Sequence, residues 1–136
     1  MALAVSLMAC ENEDDTIEIF DGNTFKITGV TMNGVKMVKE VSELYGSDNI
    51  YCLTFNSKTF QGTLAAGIPV EGIWTADGKK QTIQLNFSNK VNVNNSSELC
   101  RKVFNILKDA TSYKGDKNVM RIKKDNETYI EMRTVK

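Results

Sequence analysis

A mainly β domain, an antiparallel barrel-like sheet interrupted by one helix, is the fold class this sequence predicts. Three observations predict it. Short runs alternate apolar and polar residues with a period of two, as half-buried strands do. Two pairs, Asn33-Gly34 and Asp77-Gly78, separate such runs, and these dipeptides supply the positive φ that tight hairpin turns require. A single stretch near 99–110 departs from that period and repeats its apolar residues at helical spacing. Turn signals every 8–12 residues or so indicate a barrel or sandwich.

The elements follow in order. Thr24–Thr31 and Val35–Val41 flank Asn33-Gly34 and form the first hairpin. In the next run Tyr51, Leu53 and Phe55 alternate with Cys52 and Thr54. Val70–Ala76 and Gln81–Phe87 flank Asp77-Gly78; Ile83, Leu85 and Phe87 share one face, with Thr82, Gln84 and Asn86 on the other. Ser88–Ser97 is Asn-rich and reads as a loop, with a short strand at Val91–Val93. From Leu99, the residues Cys100, Val103, Phe104, Ile106, Leu107 and Ala110 fall within an apolar arc of about 160°, wide enough for a core-facing helix. Asn95, with Glu98 three residues on, is a capping-box-like start. Lys114-Gly115 offers a basic last turn and a glycine stop. The spacing predicts a helix over about 96–112. Met120 and Ile122, a turn at Lys124–Glu127, then Ile130 and Met132 make a closing hairpin.

Composition narrows the function. The 136 residues include 17 Lys and Arg, 17 Asp and Glu, no His, three Cys and one Pro. Without His there is no Ser–His or Cys–His nucleophile pair and no His-ligated metal. The balanced charge disfavours a nucleic-acid partner, whose phosphates need a basic excess. That balance is uneven along the chain. Residues 11–21 carry six acids and no base, whereas 22–136 carry 17 bases and 11 acids, a net of +6. An acidic run of this kind stays extended and solvated.

Residues 1–9, MALAVSLMA, are apolar except for Ser6, long enough for the apolar core of a secretory signal and too short to span a bilayer. They read as a truncated signal peptide lacking its positively charged n-region. Leu7-Met8-Ala9-Cys10 resembles the lipobox of bacterial lipoproteins. The resemblance implies cleavage before Cys10 and acylation of that residue. Several acyl chains anchor a protein stably, each buried methylene contributing about 0.8 kcal/mol. Residues 10–21 are then the lipidated Cys and an acidic tether, and 22–136 the β domain. Glu11–Asp15 resembles the acidic signal that sends some Gram-negative lipoproteins to the outer surface, and Asp15-Thr16-Ile17 resembles a short bacterial O-glycosylation motif. The expected location is the outer membrane, on its periplasmic side or at the cell surface.

Candidate chemistry is sparse. Cys52 and Cys100 admit two readings: a disulfide stapling a strand to the helix, as an oxidising compartment allows, or two buried thiols acting as small hydrophobes. The carboxylates Glu40 and Glu43 read as solvated. Trp74 shares a strand face with Val70 and Gly72, where the glycine leaves room for the indole, and reads as core. No metal site and no cofactor are expected.

Taken in order, the body resembles the META domain of small bacterial envelope proteins and, more loosely, lipocalin-like domains. Phe20 and the opening strand, Phe60-Gln61-Gly62, the Gly72–Trp74 strand before Asp77-Gly78, the Cys100–Ala110 helix, Tyr113 with Gly115 and the closing hairpin carry the resemblance. It implies a barrel that either fills itself or keeps room for one ligand. Leu53, Phe55, Trp74, Leu85, Phe87, Val103 and Phe104 are the candidate pocket or core lining. The expected function is a non-catalytic, monomeric binding or interaction module, anchored to the membrane by lipid, with an apolar small molecule or an envelope protein as partner. The alternative is a pilot, chaperone-like or structural partner of another outer-membrane protein.

Overall fold

In the computed structural model the described residues are 16–37, 41–47 and 49–135. The signal segment, Cys10, the tether through Asp15, and Glu40 lie outside them. Nine strands form one antiparallel sheet among these residues: β1 Thr24–Met32, β2 Val35–Lys36, β3 Cys52–Phe55, β4 Thr59–Thr63, β5 Pro69–Asp77, β6 Thr82–Phe87, β7 Ser112–Gly115, β8 Val119–Lys123 and β9 Tyr129–Thr134. The chain is helical over 16–20 (α1), Val41–Leu44 (α2) and Glu98–Lys108 (α3). β1 pairs with β2 and with β3, each strand from β3 on pairs with the next, and β9 returns to β1 from Phe25↔Thr134 to Thr31↔Tyr129, closing an eight-strand barrel with β2 as a short appendage.

The alternation read from the sequence sets which residues point inward. Leu53 and Phe55, Ile83 and Leu85, Met120 and Ile122, and Ile130 and Met132 are all buried, while their neighbours face out. At Asn33-Gly34 both φ angles are positive, 52° and 81°, as the two-residue turn requires. The strand after that turn is shorter than expected. β2 ends at Lys36, and Val41 belongs to α2 instead of to the predicted Val35–Val41 strand. The Asp77-Gly78 turn is longer than two residues. Asp77 Oδ1 accepts from the backbone N–H of Lys79 and Lys80, and Gln81 takes the positive φ of 55° before β6 begins. The aspartate's local hydrogen bonds favour this wider turn.

The helix is corrected at both ends. Ser97, not Asn95, is the N-cap: its backbone is extended and its Oγ accepts from Cys100 N at 3.1 Å. At the other end, residues 112–115 are strand, because Thr111 N–H donates to Lys123 and Tyr113 N–H to Gln81. These ladder bonds outcompete one more helical turn, and Gly115 serves the β7–β8 hairpin at φ 115°. Strands β6 and β7 share one register pair, Thr82↔Ser112. α3 therefore replaces the upper part of that barrel stave, turning Leu99, Cys100, Val103, Ile106 and Leu107 into the core. Val91–Val93 is loop, not strand. In that loop Asn89 stands in for sheet pairing, its side chain accepting from Glu71 N and donating to Pro69 O.

The barrel packs upstream of residue 22. Within the stretch the sequence reads as tether, α1 delivers Phe20, fully buried, to one barrel end. There its ring meets Phe55 at 5.2 Å, Trp74 at 5.3 Å and Tyr113 at 5.2 Å. Gly22, at φ 77°, turns the chain into β1, Gly22 N–H donates to Phe55 O, and Asn23 Nδ2 caps the Ile19 carbonyl. Thr16 is 8% exposed.

Candidate functional site

The seven residues named as candidate pocket or core lining pack as core. Leu53, Phe55, Trp74, Leu85 and Val103 are buried, and Phe87 and Phe104 pack beside them edge to face at 5.1 Å. Aromatic rings fill the lower interior: Phe55 meets Phe25, Phe60 and Trp74 within 6.2 Å. Trp74 Nε1 donates to Asn56 O at 2.6 Å, so the indole's polar atom is also satisfied. The space at Gly72 serves strand packing. A Cβ there would lie 2.0 Å from Asn86 O and 2.9 Å from the Phe60 ring, so the room expected for the indole is taken by Phe60 and the β6 backbone.

Space opens at the barrel end opposite Phe20. A recess of about 560 Å³ lies between four segments. α2 and the turn after it give Glu43 and Gly46. The approach to β3 gives Ile50 and Tyr51. The β4–β5 loop gives Ala65, Ala66 and Ile68. The Asn-rich loop and the start of α3 give Asn92, Asn95, Ser96 and Ser97. One wall is aliphatic and the other amide and hydroxyl, the mixture that small-molecule sites show.

A polar clasp crosses this recess. The Tyr51 hydroxyl and Ser97 Oγ both donate to Glu43 Oε2, the latter at 2.6 Å, while Ser97 Oγ accepts from the helix N–H of Cys100. One serine thus caps α3 and ties α2 to it across 54 residues of sequence. Burial, together with the neighbouring Glu43 carboxylate, pushes the Tyr51 phenol far above its usual range, so it remains a donor. Tyr51 also holds a left-handed backbone, φ 51°, fixed by its N–H to Leu64 O and by Ile27 N–H donating to its carbonyl. Beside it, Lys26 Nζ donates to the carbonyls of Ser47 and Ile50, holding the turn that leads into β3.

Glu43 was expected to be solvated; it is half-buried and carries the clasp. No local pattern marks it, because its partners, Tyr51 and Ser97, stand just before β3 and α3, outside its own helix. Cys52 and Cys100 are not bonded to each other. Cys52 lies on the outward alternation of β3 with its thiol directed to Ile50 O, and Cys100 is buried on the inner face of α3. A second recess, of about 520 Å³, lies where β7 departs from β6, between the β5–β6 hairpin and the end of α3. Among the described residues no three metal-ligating side chains cluster, and no helix is long and apolar enough to cross a membrane.

No curated protein matches the chain. A solved structure similar to it is the 1.00 Å crystal structure of a DUF4847 family protein from Bacteroides vulgatus ATCC 8482. Identity is 25% and the TM-score 0.67, covering 87% of this chain and 96% of that one. The family description that matches residues 11–134 is a domain of unknown function, DUF4847. That match takes in the acidic residues before α1 together with the whole barrel, and the chain belongs to the DUF4847 family.

Proposed function

We propose that this protein is a lipid-anchored, non-catalytic, monomeric module of the bacterial cell envelope that binds a small ligand at the mouth of its barrel. The recess beside the Glu43–Tyr51–Ser97 clasp carries the reading. It has the volume of a small-molecule site, whereas the lower interior is occupied by aromatic side chains. A lipocalin-like or META-like role with an apolar ligand held inside the barrel therefore gives way to binding at the rim. The sequence has no histidine, which supports binding over catalysis. Leu7-Met8-Ala9-Cys10 supports the anchor at Cys10, and the acids that follow support an outer-membrane position, at the cell surface.

Native mass spectrometry of protein purified from its own membrane tests this reading. The expected spectrum shows an acylated chain beginning at Cys10 with a small co-purifying mass, and Cys10→Ala should leave the membrane fraction. A stoichiometric protein partner in place of a small mass would support the pilot role instead. Protease shaving of intact cells should cleave a surface-displayed domain; a protected one sinks surface display.

A further inference from the structure

The hydrogen-bond polarity of the mouth recess limits what it can hold. This inference rests on the reading of that recess as a binding site. Tyr51 and Ser97 both give their protons to Glu43 Oε2, and Ser97 Oγ also accepts from Cys100 N–H. Both hydroxyl protons in the clasp are thus spent. Glu43 Oε1 has no partner among the described residues, and a carboxylate oxygen can only accept. Glu43 is also the one charged side chain among the described lining residues. The N-terminus of α3 attracts negative charge, but the Cys100 N–H there is taken by Ser97 Oγ, and the Glu43 carboxylate is bonded to that same hydroxyl. An anionic ligand would meet a carboxylate where the helix would otherwise welcome it. Opposite, Ile50, Ala65, Ala66 and Ile68 form a compact aliphatic wall.

We infer that the recess takes a small amphiphile whose head donates hydrogen bonds, an amine or a hydroxyl on a compact apolar skeleton, and rejects carboxylates and phosphates. The head donates to Glu43 Oε1 and the skeleton lies against Ile50, Ala65 and Ile68. Asn95, whose side-chain amide has no partner among the described residues, meets any second polar group.

Three probes with one skeleton test this: cyclohexylammonium, cyclohexanol and cyclohexanecarboxylate, titrated into the ¹⁵N-labelled Cys10→Ser chain. The ammonium and the alcohol should shift the amide signals of Gly46, Ala65, Ala66 and Ser97, and the carboxylate should leave them in place. Glu43→Gln still accepts from Tyr51 and Ser97, so the spectrum should keep its folded dispersion. It should weaken the ammonium about tenfold and the alcohol less, because only the ammonium loses an ion pair. Carboxylate binding as tight as that of the ammonium overturns the ligand class and leaves the recess reading standing. An unchanged ammonium affinity in Glu43→Gln also overturns it. Silence from all three probes overturns the ligand class, and an empty native mass spectrum beside it overturns the recess reading too.

Discussion

Tyr51 does three things at once: it enters β3 through a left-handed backbone, buries its ring, and donates its phenol proton to Glu43. Its protonation carries a testable consequence. In the unfolded chain a tyrosine ionises near pH 10 or so, while burial and Glu43 keep the native phenol protonated well beyond that. Above that pH the unfolded state releases its proton first, so stability falls as pH rises. Below it the contribution is present in full. The urea midpoint should drop between about pH 9 and 11, and Tyr51→Phe should remove part of that drop. At Gly72 the consequence is steric. Alanine would drive Cβ into Asn86 O, a backbone atom that cannot swing aside. Gly72→Ala should destabilise the barrel by about 1–3 kcal/mol or more, measured by denaturant melts. Little of this is legible locally. Tyr51 reads as an inward strand residue and Gly72 as room for Trp74; the atoms that decide both cases lie on other strands.

Among the elements, α3 shows most plainly what local pattern can fix. Its apolar arc places Leu99, Cys100, Val103, Ile106 and Leu107 on the buried face as read, because helical period is a local property. Its ends are not local. Ser97 caps it while donating to Glu43, and its C-terminal extension is lost to ladder bonds with β6 and β8. Ser97→Ala should cost about 1 kcal/mol from the cap alone. Because the same hydroxyl holds Glu43, Ser97→Ala and Glu43→Ala should be less than additive in a double-mutant cycle. Fully additive costs would show that the clasp contributes nothing.

At the scale of the molecule, the barrel has two unlike ends. One is stoppered by Phe20 from α1, and the other opens on the Glu43 recess. In sequence the acidic run is followed directly by this plug. Phe20→Ala should cost about 3–5 kcal/mol, the range for a large aromatic lost from a packed core. Trp74, the sole tryptophan, packs tilted against that ring and should report the change as a red-shifted emission. Ile17, 61% exposed on the same segment, should tolerate alanine within about 0.5 kcal/mol.

By itself the sequence determined the fold class, the inward face of most strands, the Asn33-Gly34 turn and the buried face of the helix. Each of these follows from periods of two and 3.6 residues and from turn chemistry acting over a few positions. Only the tertiary structure decided the rest. It closed β1 against β9, made Phe20 a plug instead of part of a tether, filled the lower interior, and moved the open space to the mouth. It also joined Glu43, Tyr51 and Ser97. These outcomes depend on which distant segments meet. A carboxylate two residues past a predicted strand reads as solvated until a buried tyrosine and a helix cap are brought to it.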